Sequence, residues 1–105
     1  MSILFDWDDA NIAHIAEHDV TTSEAEEVVS NSPLDIGKQT RNGEERLMQI
    51  GETLSGRVLI VITTLRGVKT RVVTAFPANR AYRAFYSAHK GSIYHGKENP
   101  SRLQE

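Results

Sequence analysis

The 105-residue sequence predicts an α+β fold, with N-terminal helices packed on an antiparallel β-sheet and a C-terminal helix after it. Three observations carry that expectation. Apolar residues recur at helical spacing as far as Pro33. β-rich runs separated by turn residues then occupy positions 34–76, and helical spacing returns after Pro77.

Ile3–Trp7 is a short apolar stretch suited to an edge strand, and it runs into Asp8-Asp9, which can cap the free N–H groups of a helix. Ile12, Ile15 and Ala16 give that helix its apolar face, and the pattern ends near His18-Asp19. Thr21 and Glu24 have capping-box spacing, with Val20 and Ala25 placed as a small hydrophobic staple. The second helix so opened carries Ala25, Val28 and Val29, and Asn31-Ser32-Pro33 stops it.

Four strands are expected at 34–40, 45–51, 57–65 and 68–76, turning at Asn42-Gly43, Ser55-Gly56 and Arg66-Gly67. Val58–Ile62 lacks polar alternation, so both of its faces should be covered and it should lie inside the sheet. A helix follows over Ala78–Ala88. At 100° per residue Ala78, Ala81, Tyr82, Phe85 and Ala88 share one side, and Arg80, Arg83 and Ser87 the other, with Tyr86 at the border.

Hydrophobic residues are 39% and charged residues 25%, so the chain should bury one core, expected over residues 1–88 as a single domain. Residues 89–105 are polar and aperiodic and read as a flexible tail. The absence of cysteine excludes disulfides and thiolate metal sites. The apolar runs fall far short of the roughly 20 residues of a membrane helix. The start MSILFDWDD lacks the basic flank and long apolar region of a signal peptide. A cytoplasmic protein without membrane contact is expected.

The net charge of −2 conceals an asymmetry. Residues 1–52 hold twelve acidic and three basic side chains, whereas residues 53–105 hold nine basic and two acidic ones. Such a division points to an anionic partner for the second half and a cationic one for the first, against the plainer reading of segregated solvated faces.

Two sets of residues can carry chemistry. His14, Glu17 and His18 have the H-x-x-E-H spacing of inverted zinc peptidases. Such an enzyme also needs a third ligand and far more chain, so no metal and no other cofactor is expected. Arg57, Arg66, Lys69, Arg71, Arg80 and Arg83 form the second set, with Tyr86 one turn beyond Arg83. Arginine holds phosphate bidentately at any physiological pH, and a tyrosine hydroxyl at the edge of such a face can bond to phosphate or give up a proton.

In order along the chain stand Phe5-Asp6-Trp7-Asp8, His18-Asp19-Val20, Ser23–Val28, Gly43–Arg46 with Ile50-Gly51, Gly56–Leu59, Arg66-Gly67 with Arg71–Ala75, and Arg80–Tyr86. These seven pieces resemble the BrnT toxins of type II toxin–antitoxin pairs. The resemblance implies a RelE-like fold, a metal-independent endoribonuclease and growth inhibition. It also implies a ribbon-helix-helix antitoxin as partner, through which alone DNA is met.

By position, the resemblance makes Arg46, Arg71, Arg80, Arg83 and Tyr86 the catalytic candidates; Arg57, Arg66 and Lys69 of the basic half are then expected to bind RNA, and the His18 imidazole is available for acid–base work. The sequence departs from the family pattern at Glu17, where a lysine is usual, at Asp19, where a glycine is usual, and at Phe76-Pro77, where a basic residue is usual. Lost cations weaken phosphate binding. The rival readings are therefore a catalytically weakened member that keeps antitoxin or RNA binding, and a zinc hydrolase through His14 and His18.

Overall fold

A computed structural model describes residues 2–90. Its elements run α1 (Asp9–Ala16), α2 (Thr22–Ser30), β1 (Leu34–Arg41), β2 (Glu44–Glu52), β3 (Val58–Arg66), β4 (Lys69–Pro77) and α3 (Arg80–His89). The strands form one antiparallel sheet in the order β1-β2-β3-β4, each within about a residue of its expected bounds. The expected tail begins inside α3. Apart from His89 and Lys90 it lies outside the described residues.

Both N-terminal helices open on reciprocal caps. Asp8 accepts from the Asn11 amide at 3.1 Å while the Asn11 side chain accepts from the Asp8 amide at 2.8 Å. Thr21 and Glu24 do the same for α2, and Val20 and Ala25 are both buried in the core beside them. In α1 the inward positions are Asn11 and Ile15, whereas Ile12 and Ala16 are exposed. Asn11 replaces an apolar residue there because its Nδ2 donates to two main-chain carbonyls, Asp6 at 3.0 Å and Val72 at 3.1 Å.

Two of the hairpins turn as the sequence requires. Asn42 and Gly43 both hold positive φ (53° and 76°) between the paired residues Arg41 and Glu44. Gly67 at φ 64° opens the two-residue turn between Arg66 and Lys69. One extra residue sits in β1 near Ile36 and one in β4 at Val73, so the register shifts at both edge strands.

Helices cover both faces of the sheet. Leu59 and Val61 of β3 join Ile15, Ala25 and Val28 in one core, and Ile60 between them joins Phe85 and Tyr86 of α3 in the other. β3 is accordingly interior, with Leu59, Ile60 and Val61 fully buried. Gly51 lets α2 approach β2 closely, since a Cβ there would lie 3.2 Å from Val28 Cγ1 and 3.3 Å from Pro33 Cβ.

Three expectations need correction. Ile3–Trp7 is not a full strand: it makes a single parallel bridge, Phe5 to Thr70, with Asp6 N–H donating to the Thr70 carbonyl at 2.9 Å. In α3 the inward positions are Tyr82, Phe85, Tyr86 and His89, while Ala81 and Ala88 are exposed. Large rings outcompete alanine methyls for the sheet, which turns the helix away from the face that alanine spacing indicated. The charge asymmetry, thirdly, is in part paired within the molecule and not turned wholly to outside partners. Arg57 pairs with Glu24, Arg71 with Asp6 and Asp8, Arg66 with Glu44 and Lys90 with Glu52, each joining the basic half to the acidic one. Among the described residues no helix is long and apolar enough to cross a membrane.

Candidate functional site

β2, β3 and β4 bring three arginines to one end of the sheet. Thr64 faces Arg71 across β3 and β4, and Leu47 faces Thr63 across β2 and β3, so Arg46, Thr64 and Arg71 stand in one row on the α3 face. Arg66 lies two residues past Thr64 on the same face. With Glu44, Asn11, Ala10 and His14 they line a pocket of about 200 Å³. Arg46 also lines a second hollow of about 190 Å³ with Gln39, Met48 and Ile62, where that face of the sheet is bare of helix.

Carboxylates hold every guanidinium of the pocket. Arg71, 16% exposed, lies 3.0 Å from Asp8 Oδ2 and 3.6 Å from Asp6 Oδ2. Glu44 bridges Arg46 Nε at 3.1 Å and Arg66 Nη2 at 3.0 Å. The bond from Arg71 keeps the Asp8 carboxyl below its ordinary range, and the bond from Arg46 does the same for Glu44. Asp8 in turn raises Arg71 above the usual guanidinium value. Three cations face three anions, so the pocket is pre-formed and electrically balanced.

The other expected site residues lie elsewhere. Arg57 is not at the pocket. Its Nη1 donates to the Asp19 carbonyl at 2.7 Å and to both carboxylate oxygens of Glu24 at 3.0 Å, tying β3 to the start of α2. Lys69 is exposed beside the β3–β4 turn. Arg80 and Arg83 belong to α3, beyond the opposite end of β4 from Arg71. Arg80 is exposed and makes no ion pair among the described residues, and Arg83 Nη1 donates to the Ala78 carbonyl at 2.7 Å.

Tyr86 departs furthest from expectation. It is buried under α3 at 6% exposure, and its hydroxyl donates to Glu52 Oε1 at 3.3 Å instead of meeting solvent at the arginine face. Burial, with Glu52 beside it, pushes the phenol above its ordinary value. The sheet and helix residues thus form two groups, not one.

His14 and His18 meet edge to face at 5.5 Å, and His18 packs on Phe76. Among the described residues no three His, Cys, Asp or Glu side chains gather as a metal site. Sequence reasoning missed Asp6, Asp8, Asn11, Glu44 and His14 as members or supports of the pocket. For Asn11 a signal existed, an amide standing four residues before Ile15 on an otherwise apolar face.

Comparison with known proteins identifies the family. Residues 7–81 match the family model described as the ribonuclease toxin, BrnT, of type II toxin–antitoxin systems. No curated protein matches the chain. The matched span contains α1, α2, the whole sheet and all three pocket arginines, and stops before Arg83 and Tyr86. The chain belongs to the BrnT family of ribonuclease toxins, whose members act within toxin–antitoxin pairs.

Proposed function

We propose that this chain is a metal-independent endoribonuclease with a RelE-like arrangement, neutralised by a ribbon-helix-helix antitoxin. The observation that carries the reading is the convergence of Arg46, Arg66 and Arg71, from three strands, on one pocket. Such a row can hold the scissile phosphate and stabilise the charge that grows on it when a ribose 2′-OH attacks, without a metal. RNA phosphate takes guanidinium N–H groups beyond those that the carboxylates occupy. Lys69, Arg80 and Arg83 supply outlying backbone contacts, and the bare sheet beside Arg46 supports a path between them. Arg57 and Tyr86 act in the fold.

The test is cleavage of RNA in EDTA by the purified full chain, with expression in cells as a parallel assay of growth. Changing Arg46 and Arg71 together to Ala should lower cleavage by at least about a hundredfold, each lost charge-assisted contact costing about 1.5–3 kcal/mol. Changing Arg80 and Arg83 together to Ala should weaken RNA binding and flatten its salt dependence. Activity that disappears in EDTA and returns with a divalent ion would overturn the metal-independent reading.

A second reading, RNA or antitoxin binding without cleavage, is favoured by the exact pairing of pocket cations with Asp6, Asp8 and Glu44. It is the conclusion to draw if the chain binds RNA at low salt and cuts none.

A further inference from the structure

The arginine pocket has a wall made by α1, and His14 is the titratable side chain of that wall. Its Nδ1 lies 3.4 Å from Glu17 Oε2, one helical turn further on. A carboxylate on that side favours the tautomer with its proton on Nδ1, in which Nε2 is the ring nitrogen that can accept another. His18 packs edge-on against the same ring, which restrains its tilt. The ring is 47% exposed, so a substrate can reach it. The charged and titratable groups around it are Glu17 and His18 just after α1, Glu44 and Arg46 on β2, Arg66 on β3 and Arg71 on β4.

Of the other candidates for proton abstraction, His18 does not line the pocket. Guanidinium groups stay protonated, Glu44 is taken up by two arginines, and Tyr86 is buried with Glu52 away from the pocket. Imidazole is the side chain fitted to proton transfer near neutral pH.

We propose that His14 is the general base of RNA cleavage and that Glu17 is a positioning residue that fixes its tautomer. The assignment rests on the ribonuclease reading above. His14 Nε2 takes the 2′-OH proton as that oxygen forms a bond to the adjacent phosphorus. The bond from phosphorus to O5′ breaks, and O5′ takes a proton from water. The products are a 2′,3′-cyclic phosphate and a 5′-hydroxyl, and the imidazolium returns its proton to the hydroxide so formed.

The experiment compares wild type with His14→Gln, His18→Gln and Glu17→Gln in the full chain, each checked by thermal melting. Single-turnover cleavage of an oligoribonucleotide is followed in EDTA from acid to alkaline pH, and binding is measured on the same oligomer made with 2′-deoxyribose. His14→Gln should cleave about a hundredfold more slowly or worse, lose the acid limb of the pH profile and bind the deoxy oligomer as wild type does. Glu17→Gln should lower the rate by less and leave binding unchanged. If Arg46→Ala with Arg71→Ala abolishes cleavage while His14→Gln keeps the wild-type rate and pH profile, this proposal falls and the ribonuclease reading stands. Loss in His18→Gln without loss in His14→Gln also overturns it. A wild type that cuts no RNA takes down both.

Discussion

Arg57 reaches from the start of β3 to Glu24 in the first turn of α2, its Nη1 3.0 Å from each carboxylate oxygen and 2.7 Å from the Asp19 carbonyl. One guanidinium thereby fixes the α1–α2 corner against the sheet. Arg57→Ala should destabilise the fold by about 1–3 kcal/mol, the range for charge-assisted bonds that are partly buried. Arg57→Lys should recover part of the loss, because the three bonds leave one nitrogen and an ammonium also donates from one centre. Chemical denaturation measures the loss, and RNA affinity per folded molecule should stay unchanged.

Acid should weaken the fold through three carboxyls. Arg71 lowers Asp8, with the Asn11 amide helping, and Arg46 lowers Glu44, with Arg66 helping. For Glu24 burial pushes upward, but the Thr21 amide and Arg57 together outweigh it, so that its value also falls. A folded-state value below the unfolded one contributes stability above the ordinary carboxyl range, here 3.8 for Asp and 4.5 for Glu, and loses it as pH falls through the depressed values. Melting temperature should therefore drop below about pH 5, and less so in Arg57→Ala. A melting temperature unchanged down to pH 3 contradicts this.

Asp19 holds φ 61° at the corner after α1, with its side chain fully exposed. That conformation strains a residue with a Cβ and costs glycine nothing. Asp19→Gly should stabilise the protein by about 0.5–1 kcal/mol, because the bond from Arg57 goes to the main-chain carbonyl and survives.

Gly51 behaves in the opposite sense. Its φ is ordinary, but a methyl group there would press on Val28, which is fully buried, and on the rigid ring of Pro33. Gly51→Ala should cost about 1–3 kcal/mol, as overpacking does. Val28→Ala in the same chain should recover part of that loss, which a double-mutant cycle reads directly.

Much of the fold was legible because its signals are local. Asp8-Asp9 marked the start of α1, Thr21 and Glu24 three apart opened α2, the turn residues Asn42-Gly43 and Arg66-Gly67 marked two hairpins, the second one residue early, and an unbroken apolar run identified β3. The pocket was half legible. Arg46 and Arg71 were singled out by position, yet their carboxylate partners were not, since Asp8 and Arg71 are 63 residues apart and nothing local joins them. Tyr86 was misplaced because helical spacing gives the period of a face and not which side chains win the core. His14 was set aside with the zinc motif, although half of that motif lines the pocket.

The N-terminal segment has a consequence for synthesis. Phe5 bridges Thr70, Asp8 bonds Arg71 and the Asn11 amide reaches the Val72 carbonyl, so residues 5–11 find these partners on the last strand. During translation residues 5–11 leave the ribosome before β4 and must wait for it before they can dock. A nascent chain short of residue 71 also lacks one of the three pocket arginines. For a toxin this ordering delays assembly of the arginine pocket until translation has passed β4, which gives a co-expressed antitoxin time to be present when the pocket closes.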